Sequence, residues 1–128
     1  MNILIIDDDR LILHSLRYSL ENLGHRVYTA ENSEEAINMI AGEMKDVKPD
    51  LLISDIMMPG ISGLSLVTVL RSIHLCTTPI IMMSTLTNKH LLEAVFKLGA
   101  NDFITKPIAS RELESKIEKY DKNAPVLT

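Results

Sequence analysis

Several polar residues stand at the ends of apolar runs of strand length. They are Asp7, Asp8, Asp55, Ser84 and Lys106. Open α/β sheets bind their ligands beyond the carboxyl ends of the strands, so we expect these side chains to lie close together. Three neighbouring carboxylates repel each other unless a cation lies among them, and oxygen ligands suit a hard divalent ion, Mg²⁺ above all.

Asp55 is the centre of this pattern. It ends the strand-length segment that contains the apolar run Leu51–Ile53, and a Pro-Gly turn follows shortly after it. A site of this composition binds a phosphoryl group by spreading its charge over metal, ammonium and hydroxyl. Asp55 would be the nucleophile that forms an acyl phosphate. Lys106 would pair with the phosphoryl oxygens, and the Ser84 hydroxyl would donate to one of them.

The elements that would position these residues alternate between strand and helix along the chain. Apolar runs predict strands at 3–6, 27–30, 51–55, 80–83 and 102–105. Helical spacing predicts helices at 11–23, 32–44, 63–73, 89–98 and 110–120. This alternation predicts a five-stranded parallel α/β sheet with right-handed crossovers and helices on both faces. The second strand is the less apolar one, which favours a place near the edge.

Length and composition limit the class of protein. The chain has 128 residues, enough for one domain, and we expect that domain to span 1–120 with a short polar tail at 121–128. A net charge of −4 argues against a nucleic-acid-binding surface. A single cysteine cannot form an internal disulfide, and the sequence has no signal peptide and no apolar run of membrane-spanning length. We therefore expect a cytoplasmic protein.

The chain resembles the receiver domain of two-component response regulators, in its chemotaxis-type single-domain form, over about residues 2 to 120. The resemblance lies in four segments, each weak alone and highly specific in this order and spacing. They are Ile3–Asp8, Asp55–Gly60, Ile80–Ser84 and Phe103–Pro107.

The resemblance implies a doubly wound, flavodoxin-like α/β fold whose five parallel strands lie in the order 2-1-3-4-5. It also implies a signalling switch and not an enzyme with a separate substrate. Asp55 would accept phosphate from the phosphohistidine of a sensor histidine kinase or a phosphotransfer protein. Asp7 and Asp8 would hold Mg²⁺ together with Asp55 and the backbone carbonyl of Met57. The domain would promote its own phosphotransfer and its own dephosphorylation.

The resemblance also implies how the signal leaves the site. Ser84 matches the switch hydroxyl, which moves toward the phosphoryl group, and Phe103 matches the switch aromatic, which swings inward. The surface of the fourth helix, fifth strand and fifth helix would then change its preference for a downstream protein, an effector domain or a second copy of the chain. No direct contact with nucleic acid or membrane is expected.

The chain departs from the usual pattern of the family at several positions. Ser62 replaces an acid, which we interpret as a helix-start residue with little effect on the chemistry. Thr85 is larger than the usual alanine and would narrow access to the phosphoryl group. Met57 and Leu86 stand at the positions that tune hydrolysis in the family. Because both are apolar, neither can orient an attacking water, and we expect slow loss of phosphate.

Other interpretations of the same residues stay open at this point. Asp9 is better explained as the cap of the first helix, and Thr85 would be the functional hydroxyl if the strand register slipped by one residue. A haloacid-dehalogenase-type phosphatase also uses an aspartyl phosphate, but Arg10-Leu11 stand where its motif needs Thr or Val. A flavin-binding electron carrier would need a phosphate loop rich in Ser, Thr and Gly after the first strand, and the sequence lacks one.

Overall fold

A computed structural model describes residues 1–121, so the predicted tail lies outside the described residues except for Asp121. Strand and helix alternate throughout, as predicted. The elements are β1 (Asn2–Ile6), α1 (Arg10–Asn22), β2 (Arg26–Ala30), α2 (Ser33–Ala41), β3 (Leu51–Asp55), α3 (Gly63–Ser72), β4 (Ile80–Ser84), α4 (Lys89–Lys97), β5 (Asp102–Thr105) and α5 (Ser110–Tyr120). Among the described residues, none of these helices has the length and hydrophobicity needed to cross a lipid bilayer.

The five strands form one parallel sheet in the order β2-β1-β3-β4-β5. This confirms the predicted fold class and order, and it places the less apolar β2 at an edge. The register aligns the carboxyl ends of neighbouring strands, because Ile6 pairs with Ser54 and Ser84 pairs with Thr105. All residues that directly follow β1, β3, β4 and β5 therefore reach the same edge.

Two apolar cores cover the two faces of the sheet. Successive side chains in a strand point to opposite faces, so each strand supplies both cores. One core lies against α2, α3 and α4 and includes Leu52 and Met82. The other lies against α1 and α5 and includes Ile53 and Met83. Burial on both faces explains why the strands are continuous apolar runs.

The predicted helix starts are confirmed by their hydrogen bonds. The Asp9 carboxylate accepts from the backbone N–H of Leu11 at 2.9 Å, and the Asn32 side chain accepts from that of Glu35 at 2.8 Å. The predicted extent of the second helix was too long. It ends at Ala41, since Gly42 follows as the cap with non-helical angles, and Met44 is buried beyond the end of the helix.

An ion pair fastens α5 to the start of β5. The Lys116 ammonium donates to an Asp102 carboxylate oxygen at 2.7 Å and to the Phe103 carbonyl at 2.6 Å. Burial alone would raise the pKa of Asp102, but the hydrogen bonds from Lys116 and the Phe103 N–H, with the charge of Lys119, outweigh it and lower that pKa below its ordinary value of 3.8.

This ion pair predicts a pH-dependent contribution to stability. The folded pKa of Asp102 lies below the unfolded one, so its contribution is present above the unfolded pKa and is lost as the pH falls through the folded value. We expect Asp102→Asn to lower the free energy of unfolding by about 1–2 kcal/mol at pH 7, and by progressively less below pH ~4. Urea denaturation at several pH values measures this difference. The exposed loop variant Asp46→Asn is the control, and a deficit that does not change with pH would contradict the prediction.

Candidate functional site

The predicted site residues come together at the carboxyl edge of the sheet. Asp7 directly follows β1, Asp55 is the last residue of β3, Ser84 is the last residue of β4, and Lys106 directly follows β5. They reach this edge because each stands at the carboxyl end of a strand of the parallel sheet. Asp7 is fully buried, Asp55 and Ser84 are nearly so, and Asp8 is exposed.

One ammonium group joins two of the carboxylates. The Nζ atom of Lys106 lies 2.7 Å from Oδ2 of Asp7 and 3.0 Å from Oδ2 of Asp55. Only 13% of the Lys106 side chain is exposed, so solvent screens these pairs weakly. The three acids of the site outnumber this cation, which leaves the edge of the sheet with an excess of negative charge.

Burial and ion pairing set the proton affinities of this cluster. Burial raises the pKa of Asp7 above its ordinary value, although hydrogen bonds from Lys106 and the Asp9 N–H act against it. Burial acts to lower the pKa of Lys106, but its hydrogen bonds to Asp7 and Asp55 outweigh burial and raise that pKa. The raised pKa of Lys106 favours its charged form beside Asp7 and Asp55.

The acidic cluster has the composition of a site for a hard divalent cation. Asp7, Asp8 and Asp55 each offer a carboxylate oxygen, and these oxygens lie within 4.8 Å of one another. Opposite ligands of an octahedral Mg²⁺ ion lie roughly 4 Å apart, so small side-chain adjustments satisfy that geometry. The carboxylate oxygens that bind Lys106 retain further lone pairs. Since Asp8 is exposed, the cluster opens to the water that Mg²⁺ retains in its shell.

Both oxygens of Asp55 have a partner within the domain. Oδ1 accepts from the backbone N–H of Met57 at 3.2 Å, and Oδ2 forms an ion pair with the Lys106 ammonium. The carboxylate is therefore oriented from two sides. The Met57 side chain is exposed, and so is that of Leu86 on the neighbouring β4–α4 loop.

The predicted switch residues lie next to this edge. The Ser84 hydroxyl accepts from the backbone N–H of Leu86 at 3.0 Å. An accepting hydroxyl keeps its own proton, so Ser84 can still donate to another oxygen. Thr85 is exposed, unlike Ser84. Phe103 is already buried in the core that lies against α2, α3 and α4.

A comparison with known protein families assigns the chain to one of them. The response regulator receiver domain matches residues 3–118 of the chain. The chain belongs to this receiver domain family. Membership decides against the phosphatase and flavin-carrier alternatives considered from the sequence, and it confirms the resemblance carried by the four segments. Receiver domains are phosphorylation-dependent signalling switches, and the acidic cluster fits that activity.

Individual relatives and structures agree with this assignment. The receiver domain is 32% identical to the transcriptional regulatory protein CrdR of Helicobacter pylori, over 97% of the chain and 56% of the relative. It is 34% identical to the alkaline phosphatase synthesis transcriptional regulatory protein PhoP of Bacillus subtilis, over 91% of the chain and 46% of the relative. The crystallised chemotaxis protein CheY4 of Vibrio cholerae superposes with a TM-score of 0.84 at 26% identity, covering 94% of this chain and 98% of that one. The chain thus spans about half the length of the curated relatives CrdR and PhoP.

The close approach of α3 to Asp55 was not predicted from the sequence. The Gly63 N–H donates to the Ile56 carbonyl at 2.9 Å. A Cβ atom on Gly63 would overlap the Asp55 carbonyl oxygen and lie 2.8 Å from the Ile56 Cα. The only signal in the sequence was a glycine at the first helical position, where a side chain is normally tolerated. A residue without a Cβ is needed here to let the backbone of the receiver domain pack behind Asp55.

This contact predicts a large effect of one methyl group. We expect Gly63→Ala to lower the free energy of unfolding by about 1–3 kcal/mol, because two of the three clashing neighbours are backbone atoms that cannot rotate away, and only the Met82 side chain can move. Urea denaturation provides the measurement, with the exposed Ser65→Ala on the same helix as the control. A Gly63→Ala chain as stable as the native one would show that the loop before α3 relaxes freely.

A second unpredicted contact joins this edge to α2. The Ser33 hydroxyl donates to the Ile61 carbonyl at 2.8 Å. In the sequence Ser33 follows the capping residue Asn32 and looks like an ordinary residue of a first helical turn. The acceptor is a backbone carbonyl, which no sequence pattern identifies.

Proposed function

We propose that Asp55 accepts a phosphoryl group from the phosphohistidine of a sensor histidine kinase or of a phosphotransfer protein. An Asp55 oxygen would attack phosphorus, the bond between phosphorus and the donor imidazole would break, and the imidazole would leave with the electron pair. The observation that carries this proposal is the Asp55 carboxylate itself, nearly buried and oriented by the Met57 N–H and Lys106 beside two further acids.

The other residues of the site have roles that follow from their charge and position. Asp7, Asp8 and Asp55, with the backbone carbonyl of Met57, would hold Mg²⁺. When bound, this ion would neutralise charge that develops on the phosphoryl oxygens. Lys106 lies 3.0 Å from Asp55 and would pair with a phosphoryl oxygen once the acyl phosphate has formed. The same groups would support autophosphorylation from small donors and autodephosphorylation.

The residues beside the site would transmit the signal from phosphorylated Asp55 to a binding surface. The Ser84 hydroxyl proton would bond to a phosphoryl oxygen and draw the β4–α4 loop toward Asp55. Together with Phe103, this movement would change the surface of α4, β5 and α5 for a downstream protein, an effector domain or a second copy of the chain.

We further propose that residues 1–120 act as the complete receiver unit with 121–128 as a tail. We also propose that the domain works in the cytoplasm and itself contacts neither nucleic acid nor membrane.

Intact-mass analysis after incubation with acetyl phosphate and Mg²⁺ tests this proposal. We expect the native chain to gain one phosphoryl group that is stable to acid and labile to base, as an acyl phosphate is. Asp55→Asn should gain none, because it lacks the nucleophilic oxygen, whereas Asp46→Asn should behave as the native chain. No increment on the native chain, with Mg²⁺ binding demonstrated by calorimetry, would contradict the proposal.

A further inference from the structure

The segment between β3 and α3, residues 56–62, has a hydrogen bond from a backbone N–H at each of its two ends. We call it the acceptor loop, because it begins directly after Asp55. At its start, the Met57 N–H donates to the Asp55 carboxylate at 3.2 Å. At its end, the Gly63 N–H donates to the Ile56 carbonyl at 2.9 Å. The position of the Met57 backbone, the proposed carbonyl ligand, depends on how the loop runs between these two points.

The middle of the acceptor loop lies at the surface. Met57, Pro59 and Gly60 are exposed, and Gly60 has a φ of 78°. Its contact with α2 comes just after this exposed stretch. The Ser33 hydroxyl donates to the Ile61 carbonyl at 2.8 Å, and only 1% of Ser33 is exposed. The donor of this hydrogen bond is buried and its acceptor residue is half-buried, so solvent competes with the bond only from the side of Ile61.

The start of α2 does not need the Ser33 hydroxyl. The Asn32 side chain accepts from the Glu35 N–H at 2.8 Å, and the Glu35 carboxylate accepts from the Glu31 N–H at 3.0 Å. These two bonds form the capping arrangement of the helix. The Ser33 hydroxyl therefore does not cap the helix. It donates its hydrogen bond to the carbonyl of a residue 28 positions further along the chain.

We propose that Ser33 is a positioning residue for the divalent cation, acting through the acceptor loop. By holding the Ile61 carbonyl, Ser33 limits the conformations of the loop that carries the Met57 carbonyl next to Asp55. Without this bond, cation binding has to order the loop as well, which weakens the affinity. This inference rests on the proposed function, since it assumes that the acidic cluster holds Mg²⁺.

A matched pair of variants tests the inference. Ser33→Ala removes the hydroxyl that holds the acceptor loop. Thr78→Val removes a similar hydroxyl at the opposite edge of the sheet, where Thr78 Oγ1 donates to the Pro49 carbonyl at 3.1 Å. Each bond joins a side-chain hydroxyl to a distant backbone carbonyl, although Ser33 is buried and Thr78 is half-buried, so urea denaturation of both variants measures the two losses of stability. The readouts are the Mg²⁺ dissociation constant by calorimetry and amide hydrogen exchange of 56–62 in the metal-free protein.

The expected results distinguish a positioning role of Ser33 from a general effect on the stability of the domain. Ser33→Ala should weaken Mg²⁺ binding by about fivefold, the factor that corresponds to the loss of one ordinary hydrogen bond. It should also accelerate amide exchange in the acceptor loop. Thr78→Val should leave both readouts as in the native chain, even where urea denaturation shows an equal loss of stability.

Two results would overturn the inference in distinguishable ways. Native-like Mg²⁺ affinity in Ser33→Ala, or equal weakening in Thr78→Val, would show that Ser33 has no specific role toward the cation. Absence of Mg²⁺ binding in the native chain would instead contradict the proposed function, and the inference with it.

Discussion

Replacement of Lys106 by methionine should lower the free energy of unfolding of the metal-free chain by about 3 kcal/mol at neutral pH. The ammonium lies 2.7 Å from Asp7 and 3.0 Å from Asp55, and both carboxylates are almost completely withdrawn from water. Methionine keeps much of the length of the side chain but leaves two buried acids facing each other without a cation. Breaking a buried ion pair in this way costs more than the pair contributes, because the remaining charge is not rehydrated.

The pH dependence of this loss has a definite sign. The folded pKa of Asp7 is already raised by burial, so the stability linked to its protonation is present below the unfolded pKa and is lost as the pH rises through the folded value. Removing Lys106 removes a hydrogen bond that acts to lower this pKa, so Asp7 takes up a proton more readily. The deficit of Lys106→Met should therefore shrink as the pH falls and be largest at neutral pH and above.

Urea denaturation in the presence of a chelator measures this effect. The control is Lys119→Met on α5, whose side chain is 65% exposed and whose nearest acid, Asp102, lies at 3.6 Å. Such an exposed pair contributes at most about 1 kcal/mol. Adding Mg²⁺ should restore part of the stability of Lys106→Met, since the cation compensates the same carboxylates. Equal stability of Lys106→Met and the native chain at pH 7 without metal would mean that water enters the cluster.

The residues at the edge of the sheet were predictable because the pattern that places them is local. A strand buried on both faces is largely apolar, so the polar residues that end it mark the point where the chain leaves the core. Ser84 is the first polar residue after its apolar run, whereas Asp55 and Lys106 come one residue later, after Ser54 and Thr105. The parallel sheet then brings these ends together without any further information from the sequence. Alternation predicted the parallel sheet and the weakly apolar β2 indicated an edge, but the order of the remaining strands came from the resemblance to receiver domains.

Contacts to backbone carbonyls were not predictable, because every residue offers the same acceptor. Ser33 binds the carbonyl of Ile61 in this way. Arg71 is a second case: its guanidinium donates to the carbonyls of Gly99, Cys76 and Thr78 and ties together the loops at the opposite edge of the sheet. In the sequence Arg71 is one cation in an otherwise uncharged helix. Its partners depend on the distance between loops, which only the folded chain sets.

The burial of Phe103 was predictable from its residue type, but the core that it joins was not, because the sequence does not show on which face of β5 space remains. The core against α2, α3 and α4 has that space, and Phe103 fills it. Phenylalanine carries no hydroxyl that would need a partner outside, so burial has no polar cost.

The phosphorylated chain should lose its phosphate slowly, and polar residues at positions 57 and 86 should accelerate the loss by about tenfold or more. Hydrolysis of an acyl phosphate needs a water aligned behind phosphorus. Met57 and Leu86 are 63% and 48% exposed on the two loops that border Asp55, so they are the side chains that an approaching water meets. Leucine has no polar atom and methionine only a weak acceptor, so neither aligns that water.

The double variant Met57→Asn, Leu86→Gln supplies the missing hydrogen-bonding groups without adding charge. Its phosphate loss is measured by intact mass over time, after the donor is removed and with Mg²⁺ kept constant. Ile73→Asn is the control, because Ile73 is 70% exposed on the α3–β4 segment, away from the carboxyl edge of the sheet. It makes the same kind of apolar-to-amide change and should leave the rate unaltered. A half-life of only seconds in the native chain would contradict the argument directly, because water would then be aligned by groups other than residues 57 and 86.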